Sequence, residues 1–129
     1  MDETTIIDTD ILIDASRKVK IALDFLEKTE KQSTLSISTI TKMELMVGCR
    51  DKKELKSLDK FLLHFQLFSL NEEITNKAVS LLSQYRLSHG LLIPDAIIAA
   101  TAITEDYPFA TKNIKDFRFI KGLKLLSYP

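Results

Sequence analysis

Short apolar runs alternate with helix-period segments along almost the whole chain, and this alternation restricts the fold more than any other feature of the sequence. Thr5-Ile6-Ile7 reads as a buried strand that closes on Asp8. Thr9 to Ser16 is a second apolar piece carrying Asp10 and Asp14. From Arg17 onward Val19, Ala22, Leu23 and Leu26 recur at helical spacing until the polar stretch Lys28 to Lys31. Leu35-Ser36-Ile37-Ser38 alternates as a strand does, after which Thr39 or Thr41 caps a helix running through Met43, Glu44 and Val47 to Gly48. Leu55, Leu58, Leu62 and Phe65 form another amphipathic helix, followed by a strand over Phe65 to Leu70. Asn71 caps a helix with Ile74, Ala78, Leu81, Leu82 and Tyr85 as its buried stripe and Gly90 as its stop. Pro94 suits the first turn of the next helix, Asp95 stands where an acid favours the macrodipole, and Ile97 to Ile103 is apolar all round. Phe109-Ala110-Thr111 and Leu123 to Ser127 are the last strand candidates, with a short helical piece around Asp116-Phe117 between them. Alternation of this kind predicts one α/β domain over residues 1–129, with a mostly parallel central sheet covered by helices on both faces.

Composition removes several function classes. A hydrophobic content of 45% supports a real core, and 28% charged residues mark a soluble surface. Cys49 is the only cysteine, so no internal disulfide framework exists, and His64 and His89 with it do not make a zinc site. Eighteen basic residues balance eighteen acidic ones, which excludes a general nucleic-acid coat built on basic excess. No apolar stretch reaches the length of a membrane span, and the acidic opening Met1-Asp2-Glu3-Thr4-Thr5 is unlike a signal peptide. The expectation is a cytoplasmic domain without a membrane partner.

The chemistry-bearing candidates are acids at strand ends, where open α/β sheets bind ligands. Asp8 ends the first strand, Glu44 lies about one helical turn beyond the second, Asp95 opens the apolar helix, and Asp116 follows the late strand. Carboxylates converging on one cleft repel one another by about 1–4 kcal/mol per pair at 4 Å, and a hard divalent cation is the usual compensation. On spacing alone, the same acids read equally as helix caps and solvated loop residues.

Four motifs in order carry a family resemblance. Ile6-Ile7-Asp8-Thr9-Asp10-Ile11-Leu12-Ile13 resembles the opening of PIN-domain ribonucleases, in particular VapC-type toxins of toxin–antitoxin modules. Thr41-Lys42-Met43-Glu44-Leu45 with Gly48 resembles their second motif, Pro94-Asp95-Ala96-Ile97-Ile98-Ala99-Ala100-Thr101-Ala102 the third, and Ala110-Thr111-Lys112-Asn113-Ile114-Lys115-Asp116-Phe117 with Gly122-Leu123 the fourth. The resemblance implies a PIN-like three-layer α/β/α domain that acts as a metal-dependent endoribonuclease toxin. In that reading Asp8, Glu44, Asp95 and Asp116 are catalytic and bind Mg²⁺ or Mn²⁺, and metal-activated water cuts RNA to leave 5′-phosphate and 3′-hydroxyl ends. Thr9 or Thr111 helps hold a water or phosphate, and Asn113 orients Asp116 or a metal-held water. Lys112 and Lys115, which flank the site, contact the RNA. Asp10 stands where many relatives carry Asn or Ser, an extra carboxylate that either joins the site or caps the next turn, the cap being preferred; Asp14 is read as a surface or salt-bridge residue.

The resemblance also implies partners: a structured non-coding RNA substrate, a cognate antitoxin protein and a second copy of the chain in a homodimer. Leu58, Phe61, Leu62 and Phe65, with Leu45 and Met46 before them, form either an apolar patch for the antitoxin or ordinary core. Two rival functions remain at this level. One is a PIN-fold scaffold that binds RNA or protein without catalysis. The other is an aspartate-based phosphotransfer domain with Asp8 as nucleophile, suggested by Asp8-Thr9-Asp10 but opposed by Leu12, where such phosphatases need Thr or Val.

Overall fold

The structure is a computed structural model that describes residues 3–129; Met1 and Asp2 of the acidic opening lie outside the described residues. Four strands form one sheet: β1 (Thr4–Ile7), β2 (Thr34–Ser38), β3 (Gln66–Phe68) and β4 (Phe109–Ala110). Their spatial order is β3-β2-β1-β4, and every pair is parallel. The connections carry six α-helices: α1 (Thr9–Ser16), α2 (Lys20–Glu30), α3 (Thr39–Val47), α4 (Lys52–Leu62), α5 (Glu72–His89) and α6 (Ile93–Glu105). A 3₁₀ turn, Ile114–Asp116, follows β4.

Side chains alternate across a strand, so the sheet divides the core in two. Ile6 and Phe109 point to one face, where α5 and α6 pack through Ile74, Leu81, Ile98 and Ala99. Ile7, Ala110, Leu35 and Ile37 point to the other face, against Ile11 and Leu12 of α1 and Phe25 and Leu26 of α2. Ile6 and Ile7 are both fully buried, each contributing about 1.5–3 kcal/mol. The strands in the middle of the sheet are therefore apolar on both sides, which is why they read as runs rather than as alternating segments.

Several local expectations change. Thr9–Ser16 is a helix in its own right, capped by Asp8, whose side chain accepts from the Thr9 amide. It ends because Lys18 takes φ 63°, a left-handed conformation that breaks α1 from α2 without a glycine. The cap of α3 is Ser38, one residue before the threonines, because its hydroxyl accepts from the Ile40 amide. Leu123 to Ser127 is not a full strand. Only Phe109 pairs with Leu125, since β4 is two residues long and offers little edge to extend. Leu45 belongs to the second core cluster, whereas Met46 is exposed and α4 buries none of its residues completely. Leu58, Phe61, Leu62 and Phe65 pack half-buried on the rim of that cluster.

Candidate active site

The order of strands reverses beside β1: the chain lays β2 and β3 to one side of it and β4 to the other. In a parallel sheet this switch opens a crevice at the carboxyl ends of the two flanking strands. Asp8 follows β1 and Thr111 follows β4, so the two meet in that crevice, and the Thr111 hydroxyl donates to Asp8 Oδ2 at 2.7 Å. The other Asp8 oxygen accepts from the Thr9 amide at 2.8 Å. Asp8 is only 5% exposed, yet its carboxylate is fixed on both sides by donors.

Three threonines extend this arrangement. The Thr9 hydroxyl donates to Glu44 Oε1 at 2.7 Å and lies 3.1 Å from Thr41 Oγ1. Thr41 and Glu44 are one turn apart on α3, so both project toward α1 from the same face. The Thr111 oxygen also accepts from the Asn113 amide at 3.0 Å, which shapes the turn after β4.

Asp10 departs from its expected part. Because Asp8 already caps α1, the Asp10 carboxylate is free to turn across the crevice to the segment after β4. Its Oδ2 accepts from the Lys112 amide at 3.2 Å and from Asn113 Nδ2 at 3.0 Å, with Thr111 Oγ1 3.3 Å away. Asp10 Oδ1 is buried and has no hydrogen-bond partner. Asn113 thus holds Asp10 and not Asp116. Lys112 is likewise committed, because its ammonium pairs with Asp14 at 2.7 Å; Asp14 is a salt-bridge residue on the same wall.

Asp95, in the first turn of α6, and Asp116, in the 3₁₀ turn, line a neighbouring cleft of about 230 Å³ with His89, Leu92, Lys115 and Phe119. The acids feel one another. Burial, then the charge of Asp10 and more weakly that of Asp95, pushes the Asp8 carboxyl up to about 8, against the opposing pull of the Thr111 and Thr9 donors. Burial, then the charges of Asp116, Glu44 and Asp10, pushes Asp95 up to about 6. Burial also raises Asp10 above the usual carboxylate range. Burial and mutual repulsion thus hold these carboxyls above their usual range, and groups perturbed in this way cluster at functional sites.

The donor set of Asp8, Glu44, Asp95 and Asp116 consists of hard carboxylate oxygens, which suits a small divalent cation. Among the described residues no three His, Cys, Asp or Glu side chains are already arranged as a cage. Mg²⁺ tolerates this, since it is commonly held by one or two carboxylates and keeps several waters. A phosphotransfer role for Asp8 fits poorly, because the Lys112 ammonium that would assist it is turned to Asp14.

Sequence reasoning took Thr41 as a helix cap and His89 as structural or exposed, and gave neither a part in the site. Thr41 was visible as the position three before Glu44. His89 carries no spacing signal, because only the turn at Gly90 and the return of Phe119 bring it to the cleft.

Known proteins share this plan. The PIN domain family matches residues 5–122. Ribonuclease VapC10 of Mycobacterium tuberculosis is 33% identical over 92% of this chain and 90% of its own length. Ribonuclease VapC1 of Methanocaldococcus jannaschii is 34% identical over 93% and 85%. Among solved structures, a toxin–antitoxin complex from Klebsiella pneumoniae superposes with a TM-score of 0.81 at 32% identity, covering 96% of this chain and 97% of that one. VapBC2 from Rickettsia felis bound to a promoter DNA fragment gives a TM-score of 0.84 at 28% identity, covering 98% and 99%. With the family match running over residues 5–122 and more than nine-tenths of its length shared with these relatives, the chain belongs to the PIN-domain family.

Proposed function

We propose that the chain is a metal-dependent endoribonuclease and the toxin of a toxin–antitoxin pair. The observation that carries this reading is the buried Asp8 carboxylate, clamped between the Thr9 amide and the Thr111 hydroxyl, within charge range of Asp95. Relatives named ribonuclease VapC and structural neighbours solved with antitoxins support it.

Asp8 and Asp95 would hold the metal, with Glu44 and Asp116 completing the acidic wall. When bound, Mg²⁺ or Mn²⁺ supplies a water of lowered pKa and stabilises charge developing on a phosphoryl oxygen. The protein's own residues do the positioning. Thr111 and the Thr9 amide fix the Asp8 carboxylate in one orientation. Thr9 fixes Glu44, so α1 and α3 share one wall of the site. Asp10, held by Lys112 and Asn113, keeps the loop after β4 closed over the crevice. Lys115 lines the cleft and in this reading meets the RNA backbone.

The substrate in this reading is a structured non-coding RNA, and the products carry 5′-phosphate and 3′-hydroxyl ends. The protein partners in this reading are a cognate antitoxin and a second copy of the chain, in the cytoplasm. Exposed apolar residues, including Met46 (43%), Val47 (86%) and Leu63 (84%) beside the half-buried face of α4, support a protein partner on that side. No helix among the described residues is long and apolar enough to cross a membrane.

The test is cleavage of a structured RNA pool with Mg²⁺ or Mn²⁺ and with chelator, beside Asp95→Asn. Discrete metal-dependent cuts that vanish in the variant support the reading. RNA binding that needs neither metal nor Asp95, without cuts, supports the scaffold alternative.

A further inference from the structure

The end of α5 brings an aromatic pair to the edge of the acidic cleft. The His89 imidazole stacks on the Phe119 ring, with centroids 4.1 Å apart and planes 9° from parallel. His89 is exposed, and both residues border the same cleft as Asp95, Asp116 and Lys115.

The pair is held in place from below. Tyr85, buried one turn before His89, meets Phe119 edge-on at 5.2 Å and His89 at 5.9 Å. Its hydroxyl accepts from the Lys121 amide at 3.2 Å, which ties the loop carrying Phe119 to α5. Ser88 Oγ meets His89 Nδ1 at 2.7 Å and sets the ring's rotation. Gly90 then turns the chain away at φ 71°, and Arg86 binds the Gly90 and Leu91 carbonyls at 3.0 and 3.2 Å. The packing of the core does not require the imidazole, since Tyr85 already seals α5 there.

A preorganised flat ring pair with an exposed member, beside carboxylates and one lysine, matches the chemistry of a splayed nucleotide: a planar base and an adjoining phosphate. Resting on the ribonuclease reading above, we propose that the His89–Phe119 stack seats one unpaired nucleobase next to the phosphodiester being cut, with Lys115 meeting the phosphate beside it. The stack then fixes the position of the cut along an RNA strand. Every base has a flat face, so the subsite selects an unstacked nucleotide and not a particular base.

The experiment uses RNA duplexes with one bulged, unpaired nucleotide, carrying 2-aminopurine at successive positions through the bulge, bound to the Asp8→Asn chain with Mg²⁺. Quenching is expected at one position only. Adding His89→Ala should remove it and weaken binding by about 5- to 30-fold, the lower part of the range for one stacked base. His89→Phe, which keeps a flat ring, should restore both. In the cleaving chain His89→Ala should raise KM more than it lowers kcat and should spread the cuts over neighbouring positions.

Equal quenching at all positions, or equal losses in His89→Ala and His89→Phe, overturns the subsite. If His89→Ala binds and cuts RNA as the unmodified chain does, the subsite fails and the ribonuclease reading stands. If the unmodified chain neither binds nor cuts RNA, both fail.

Discussion

Asp8→Asn tests the site through stability as well as through activity. The substitution keeps size and capping ability, and the new amide can donate to Thr111 Oγ1 while its oxygen still accepts from Thr9. What it removes is a buried negative charge. The folded-state value of about 8 against the ordinary 3.8 means that folding favours the protonated acid. A group raised in this way contributes stability fully below its unfolded value and loses it as pH rises toward the folded one. The metal-free chain should therefore weaken from about pH 4 to pH 8. At about 1.4 kcal/mol per unit the ceiling is on the order of 5–6 kcal/mol. Water entry and relaxation around Asp10 reduce this, and an increase of about 2–4 kcal/mol for Asp8→Asn at pH 9 is expected. For a domain of this size that corresponds to roughly 7–15 °C in Tm. The assay is urea and thermal unfolding with chelator from pH 4 to pH 9. The gain should vanish at the acid end, and Mg²⁺ should stabilise the unmodified chain at pH 8 more than the variant. A variant equally destabilised at every pH would refute the reasoning, because it would mean that the Asp8 carboxylate is held by its donors and not strained by its charge. RNA cleavage should be abolished in the same variant.

Asp10→Asn should keep cleavage within several-fold, since the amide oxygen still accepts from Lys112 and Asn113 and a neutral NH2 group replaces the unbonded oxygen; loss of cleavage as complete as in Asp8→Asn, read in the same RNA assay, would move Asp10 into the catalytic set. Thr111→Val should destabilise by about 1–3 kcal/mol in chemical unfolding and slow cleavage, because it strips the donor from a buried carboxylate; unchanged stability would show that this hydrogen bond contributes nothing. Lys112→Ala frees a half-exposed pair with Asp14 and should change stability by no more than about 1 kcal/mol, a result that a larger loss in unfolding experiments would contradict. Gly90→Ala should cost about 1–2 kcal/mol from backbone strain alone, since φ is 71° and no atom crowds the added methyl group; a stability gain on melting would oppose this account.

The alternation of elements was legible because both cores are continuous: Ile6, Ile7, Leu35 and Ile37 are apolar wherever the sheet is covered. The break between α1 and α2 was not, because Lys18 adopts a left-handed backbone that its side chain does not announce. Leu123 to Ser127 looks like a strand by composition, yet pairing depends on its neighbour, and β4 supplies two residues. At the site, the acids were identifiable by motif order, whereas their bonds were not. Asp10 and Asn113 are 103 positions apart, and no local pattern joins residues across that distance. Of the two readings open for Asp10, the preferred cap does not hold because Asp8 takes it, and the carboxylate turns to the crevice instead. His89 was hidden for a different reason: its role is set by a stacking partner thirty positions later in the loop after the 3₁₀ turn.

The Thr111–Asp8 bond has a bearing on synthesis. Its two ends are 103 residues apart, and β4, the strand that carries Thr111 to the crevice, pairs directly with β1. Ribosomes deliver chains from the amino end, so the first wall of the site emerges long before the second. While residues beyond β4 remain in the exit tunnel, Asp8 has no Thr111 beside it and Asp10 lacks both of its loop donors. A nascent chain of this architecture therefore lacks the donors that fix Asp8 and Asp10 until the segment after β4 has left the ribosome, so the two walls of the crevice are made at separate times and joined only by that late arrival.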